Sequence, residues 1–318
     1  MAMAEHEEIL ALKEELQWLL SEEVHAVLGD IQQTLQECGR CFPMPIGNLD
    51  DTEAVPNKDA HLTQRILLSA PSTATAGAMK CVITLQGDCI SEADISFKHK
   101  QAKEHHIYRT SIKPNEQWKI QQVQDAANHL QQAIAVATLR NKDYKFSSAQ
   151  EVLMMLEELM KKVKAGQLSL TLPKRKSLQE LVTSKNMQIF QPPVPSDVAM
   201  SFYVHGSKLV LAVYHLHTNG QHRLDISHRM QMEVVVQWLN EAIICFTLAL
   251  QQCQQLFDKF TQLGMPVVQY DAAYFPQFNQ LERPDPLEDS KGEEAKNALR
   301  KNWHKIMNIL RHLTPQAL

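Results

Sequence analysis

His215 and His217 stand two apart in residues 208–216, a run that reads as a β-strand, so their imidazoles share one face of it. A turn over 218–221 would bring His222 opposite His217. Three converging imidazoles are a donor set that a zinc ion accepts. His205 stands outside that set, because the strand between it and His215 covers roughly 23 Å. No carboxylate pattern accompanies the three, and a metal-bound histidine usually leans on one. The plainer reading is three histidines beside a turn. Cys38-Gly39-Arg40-Cys41 is a CxxC, but it closes a helix instead of opening one. The dipole there opposes a thiolate, and no second cysteine pair completes a zinc set.

Other chemistry lacks its motifs. GxSxG, the P-loop, GxGxxG and HExxH are all absent from the sequence. Asp and Glu fall mostly on expected helix surfaces, which offers no paired carboxylates. Lys174-Arg175-Lys176 reads as a solvated basic loop, and Trp118 and Trp238 as core residues beside helical stripes.

The elements that must position these residues are mixed. The 318 residues bound one large domain or two ordinary ones. Apolar residues make up 44%, enough for a core, while 10 Gly and 6% aromatics argue against an all-β chain. A net charge of −4 gives no general attraction to nucleic acid. The acidic start, with Glu5, Glu7 and Glu8, lacks a signal-peptide core, and six scattered Cys fit a reducing compartment. The most apolar run, 234–250, is interrupted by Gln237, Asn240 and Glu241, so no membrane span is expected.

Residues 232–263 contain no Gly and no Pro. Val235, Leu239, Ala242, Phe246, Ala249, Cys253, Leu256, Phe260 and Leu263 recur in alternating steps of four and three. That repeat puts them on one stripe of a helix roughly 48 Å long. Val236, Ile243, Leu250 and Phe257 widen the stripe beyond a two-stranded seam, which predicts a multi-helix bundle. Its expected partners are helices over 5–38, 115–139 and 148–163, the last ended by Gly166. Ser148 and Glu151 are spaced as a capping box. Strands are expected over 62–69, 79–85, 88–98 and 105–110, then in a hairpin, 198–204 and 208–216, with a third strand at 223–227. A short helix is expected near 178–184. Gln121, Gln122, Gln124, Gln131, Gln132, Gln251, Gln252, Gln254 and Gln255 flank the helical stripes, either as interface residues or as a wet face.

The reading is therefore an α+β fold: an elongated antiparallel helical bundle and a separate, mainly antiparallel β-domain, both discontinuous. The bundle takes 1–46, 114–170 and 229–263; the β-domain takes 60–112 and 171–228. Residues 264–318 form an acidic loop and an amphipathic helix over 291–313. Leu299, Trp303, Ile306, Leu310 and Leu313 mark that helix as a docking element for a partner groove, a membrane surface or the chain itself.

Several strings in fixed order resemble one family. They include Trp18-Leu19-Leu20, Glu23-Val24-His25-Ala26-Val27-Leu28, Leu85-Gln86-Gly87-Asp88 and the run 117–126 with Asn128-His129. Leu170-Thr171-Leu172-Pro173, Pro195-Ser196-Asp197, Val213-Tyr214-His215-Leu216-His217, Trp238-Leu239-Asn240 and Cys253-Gln254-Gln255-Leu256 follow. Together they resemble the rogdi "leucine zipper" family. The short turn at 218–222, the Cys38/Cys41 pair and the segment after Leu263 depart from its pattern. The resemblance implies a non-enzymatic subunit without cofactor, of the RAVE and rabconnectin-3 type. Such complexes reassemble the vacuolar-type proton ATPase (V-ATPase) from its peripheral and membrane sectors, with large WD-repeat proteins as partners. It implies a cytoplasmic protein, peripheral on synaptic vesicles or endolysosomal membranes, and a link to the nuclear envelope. The residues alone leave two readings open: a scaffold built on the long stripe, or a metal-dependent enzyme centred on His215, His217 and His222.

Overall fold

A computed structural model of the chain describes residues 2–42, 63–70, 79–101, 104–140, 143–174, 176–220 and 223–274. Two units divide the chain, Met1–Met265 and Pro266–Leu318. Of the second, 266–274 are described and are helical. The fold is α+β, with helices and antiparallel sheets.

The chain starts in helix: α1 (Ala2–Trp18) runs through one wider turn, Leu19–Glu23, into α2 (Val24–Cys41). Val24, Leu28, Ile31, Leu35 and Cys38 form the buried side of α2. Five strands follow: β1 (Thr63–Leu68), β2 (Met79–Gln86), β3 (Cys89–Gln101), β4 (Glu104–Ile112) and the short β5 (Trp118–Lys119). The two-residue turn Gly87-Asp88 joins β2 to β3, and Gly87 supplies its positive φ of 63°. In β2 the inward residues alternate as Met79, Cys81, Ile83 and Leu85, the period of a half-buried strand.

Next come α3 (Gln121–Thr138), α4 (Ala149–Thr171), α5 (Leu178–Val182), a 3₁₀ turn (Lys185–Ile189) and β6 (Phe190–Gln191). Then follow β7 (Val198–His205), β8 (Lys208–Thr218), β9 (Leu224–Val235) and the long helix α6 (Gln237–Tyr274). One sheet has the order β1-β2-β3-β4-β6, with β5 on β3; the other is β7-β8-β9. The pair Ser69–Glu233 joins them through backbone bonds of 3.0 and 2.8 Å, and Trp118 meets Phe202 at 5.3 Å between ring centroids. Among the described residues, no helix is long and apolar enough to cross a membrane.

Several boundaries differ from the sequence reading. Residues 232–235 belong to β9, not to the long helix. Val234 and Val235 are β-branched and fit a strand as well as a heptad step, and pairing with β8 decides for the strand. Val235 is accordingly exposed at the end of β9 and takes no part in the helical stripe. Helix α6 does not stop at 263 but runs through Gly264 and Pro266 to Tyr274. Adding turns to an established helix carries no nucleation cost. Gly166 does not end α4, which continues to Thr171. Trp118 lies in a strand, not on a helix, and packs between Phe190 and Phe202. Ser148 caps α4 as expected, but the Glu151 carboxylate reaches back to the Ser147 amide at 2.9 Å instead of closing the box on Ser148. A complete capping box starts α5, from Ser177 and Glu180.

Candidate functional site

The helical bundle is built on α6. Leu239, Ala242, Phe246, Ala249, Cys253, Leu256 and Phe260 are all buried, each at 1% exposure or less. The Leu263 side chain lies outside the described ones. The Thr34 hydroxyl donates to the side-chain amide oxygen of Gln252 at 3.1 Å, and Lys259 pairs with Glu23, tying α6 to α2 and the wider turn before it. Against α4, Gln167 donates to Thr247 at 2.9 Å. Gly166 explains itself here, since a Cβ there would stand 2.7 Å from two carbons of the Phe246 ring. Helix α3 completes the bundle across α2 and α4, with Gln32 near Thr138 and Lys162 bonded to Gln132 at 2.8 Å.

Gln122 has a role that the sequence reading did not separate from the other glutamines. It is buried at the start of α3. Its amide donates to the carbonyls of Ser169 and Val204, each at 2.8 Å, and its oxygen accepts from the Val204 amide at 2.8 Å. Since β7 is an edge strand, Gln122 supplies the peptide-like group that a next strand would offer. A signal was present: Gln122 falls in step with Ala126, Leu130, Ala133 and Ala137, all buried. A lone amide in an apolar row calls for a buried partner.

Of the expected histidine trio, the strand register places His215 and His217. The register pairs His217 with Asp225, not with His222, and pairs His215 with His228. His217 is exposed, and His222 lies outside the described residues. His215 instead stacks on His99 of β3, with centroids 5.6 Å apart and rings 11° from parallel. Phe97 closes one edge at 6.2 Å and His228 another at 6.1 Å. His99 Nε2 lies 3.5 Å from Asp197, while its buried Nδ1 has no hydrogen-bond partner. Among the described residues, no three His, Cys, Asp or Glu side chains are arranged to hold a metal ion. The cluster is an aromatic contact between the two sheets.

Burial, then the neighbouring His99 and His228, hold the His215 pKa below its ordinary value, against the pull of Asp197. The folded state therefore binds fewer protons than the unfolded one just below pH ~6.5, and stability falls as pH falls through that range. Thermal melts from about pH 7.5 to 5.5 should show this loss. His215→Phe, which keeps the stack and removes the titration, should make the profile flatter. An unchanged profile would exclude His215 as its source.

Residues 15–260 match the family model described as "Rogdi leucine zipper containing protein". The fruit-fly (Drosophila melanogaster) protein rogdi is 38% identical over 262 residues, covering 82% of this chain and 91% of that one. The rogdi homologue of Danio rerio is 35% identical over 286 residues, and the human one 34% over 275. These cover 82% and 79% of this chain, and 96% and 91% of the relatives. The chain belongs to the rogdi family. The α6 stripe is spent on the protein's own core from Leu239 to Phe260. The family match ends at residue 260, before the tail. Leu299, Trp303, Ile306, Leu310 and Leu313, the expected docking side, lie outside the described residues.

Proposed function

We propose that this rogdi-family chain is a non-enzymatic scaffold subunit. It binds large WD-repeat proteins of the rabconnectin-3 type and promotes joining of the peripheral sector of the vacuolar-type proton ATPase to its membrane sector. The observation that carries the reading is family membership over residues 15–260. The α6 stripe is spent on the protein's own core, and the histidines that motivated a catalytic alternative form a stacked contact between sheets. Ile244 and Leu248 lie four apart on the outer side of α6, each about half exposed, and offer apolar surface for a partner. In this reading the protein works in the cytoplasm, peripheral to vesicle and endolysosomal membranes, with presynaptic and nuclear-envelope pools. The basic amphipathic stretch 291–313 adds a membrane or partner contact.

Affinity purification of the intact chain from cytosol should recover a WD-repeat partner and peripheral-sector subunits. Depletion should slow reacidification of vesicles after an imposed pH collapse, while pump subunit levels stay constant. Normal reacidification together with no co-purifying WD-repeat protein would overturn the proposal.

A further inference from the structure

A cleft of about 570 Å³ lies where the two sheets meet the start of α3. Buried Trp118, Phe202 and Leu181 form its apolar wall, from β5, β7 and α5. The rest of the lining is strongly cationic. Lys119 comes from β5, Lys174 and Lys176 from the loop after α4, and Arg229 from β9, and all four are exposed. Among the described residues, no Asp or Glu lines the cleft. The whole chain carries a net charge of −4, so cations from three separate segments around one concavity run against its composition.

The protein answers these charges only in part. Lys174 pairs with Asp125. Among the described residues, Lys119 and Lys176 have no ion pair. Arg229 is held by neutral groups. Its Nη2 donates to the Tyr203 hydroxyl at 2.7 Å and to the Gln231 side-chain oxygen at 2.8 Å, and its guanidinium carbon lies 5.6 Å from the centroid of the Tyr214 ring. Those contacts fix the guanidinium and leave Nε and Nη1 as donors. Nearby carboxylates are engaged elsewhere: Glu233 pairs with Lys208, and Glu180 closes the capping box of α5. Arg229 has therefore given up side-chain freedom without gaining a counter-charge, so a ligand that brings the charge finds its donor already placed.

We propose that this cleft binds a small molecule carrying a multiply charged phosphate chain. Phosphate oxygens accept from several donors at once and match a guanidinium two at a time, while lysines add point charges. The volume of about 570 Å³ is within the range of roughly 300–1,000 Å³ for small-molecule sites and far exceeds a single phosphate. Charge carries the recognition. Trp118 and Phe202 pack on each other at 5.3 Å and are only 2% and 3% exposed, so neither lays a ring face open for stacking. A free polyphosphate and the phosphate chain of a nucleotide share this chemistry. Either one ties β5, the 174–176 loop and β9 together, which links the start of the bundle to both sheets.

The test uses the full chain at low salt. Calorimetric titration with tripolyphosphate should show saturable binding that weakens as salt is added. The double variant Lys119→Gln/Lys176→Gln removes two exposed charges without an ion pair, so its melting temperature should stay unchanged. Its binding should be about 10- to 100-fold weaker. Lys145→Gln/Lys161→Gln removes two exposed charges outside the cleft and should bind as wild type does. Saturating tripolyphosphate should shield Lys119 and Lys176 from acetylation, read peptide by peptide, and leave Lys145 and Lys161 reactive. Titration with ATP separates the sources. Tighter binding than tripolyphosphate assigns a nucleotide, equal or weaker binding assigns free polyphosphate, and both place a phosphate chain in the cleft. The proposal fails if wild type takes up neither compound at millimolar concentration. It also fails if Lys119→Gln/Lys176→Gln binds as tightly as wild type, or if the shielding is spread evenly over all four lysines.

Discussion

Phe246→Ala should lower the unfolding free energy by about 3–5 kcal/mol, the range for removing a fully buried aromatic ring. The ring is 0% exposed at the middle of the α6 stripe. It lies edge-on to Phe42, with centroids 6.3 Å apart, and against the backbone of α4 at Gly166. The surrounding helices are held by other side chains along α6, so they close only part of the cavity. The site also predicts a coupling. Gly166→Ala alone places a methyl 2.7 Å from the ring, which forces a shift and costs about 1–3 kcal/mol despite the better helix propensity of alanine. In the Phe246→Ala background that methyl enters the vacated space. There the same change should be neutral or stabilising by up to about 1 kcal/mol. Denaturant unfolding of the four proteins of this cycle gives the answer. Additive effects, or an unchanged melting temperature for Phe246→Ala, would show that the ring and the glycine do not share one packed site.

The cycle also shows what was legible in the sequence. The stripe from Leu239 to Phe260 was readable because helical burial repeats every three or four residues, and that needs only local order. Val235 fitted the same count but belongs to β9, since β-branched residues satisfy both periods and only the partner strand decides. Gly166 looked like a helix stop. Its reason is a ring 80 residues further along the chain, which no local pattern reports. The histidines failed similarly: two-residue spacing correctly put His215 and His217 on one strand, but the partner of His215 is His99, in the other sheet. Period, turn and cap chemistry are local and were readable; contacts between distant elements decided the rest.

Gln122 gives the test of that distinction at a single side chain. Removing its amide leaves the Val204 N–H and the carbonyls of Val204 and Ser169 buried without their present partner. Each such group costs about 1–3 kcal/mol, so Gln122→Ala should destabilise by on the order of 3–5 kcal/mol once some water enters. Gln122→Met keeps most of the volume and loses the hydrogen bonds, so it should retain most of that loss. Gln122→Glu adds a pH signature. A protonated carboxyl accepts from Val204 N–H and donates to a carbonyl; an ionised one faces two carbonyl oxygens in a buried site. The folded-state pKa of the new residue is therefore raised above the unfolded value of about 4.3. By linkage its folded state holds the proton longer, so stability is highest below the unfolded value and is lost as pH rises through the folded one. Relative to wild type, Gln122→Glu should be mildly affected near pH ~4 and most destabilised near pH ~7. Because the amide seals the open edge of β7, amide hydrogen exchange at Val204 should also accelerate in Gln122→Met ahead of the rest of the β7-β8-β9 sheet. Loss of less than about 1 kcal/mol in both Gln122→Ala and Gln122→Met would mean that water replaces the side chain, and that the edge of β7 is sealed by something else.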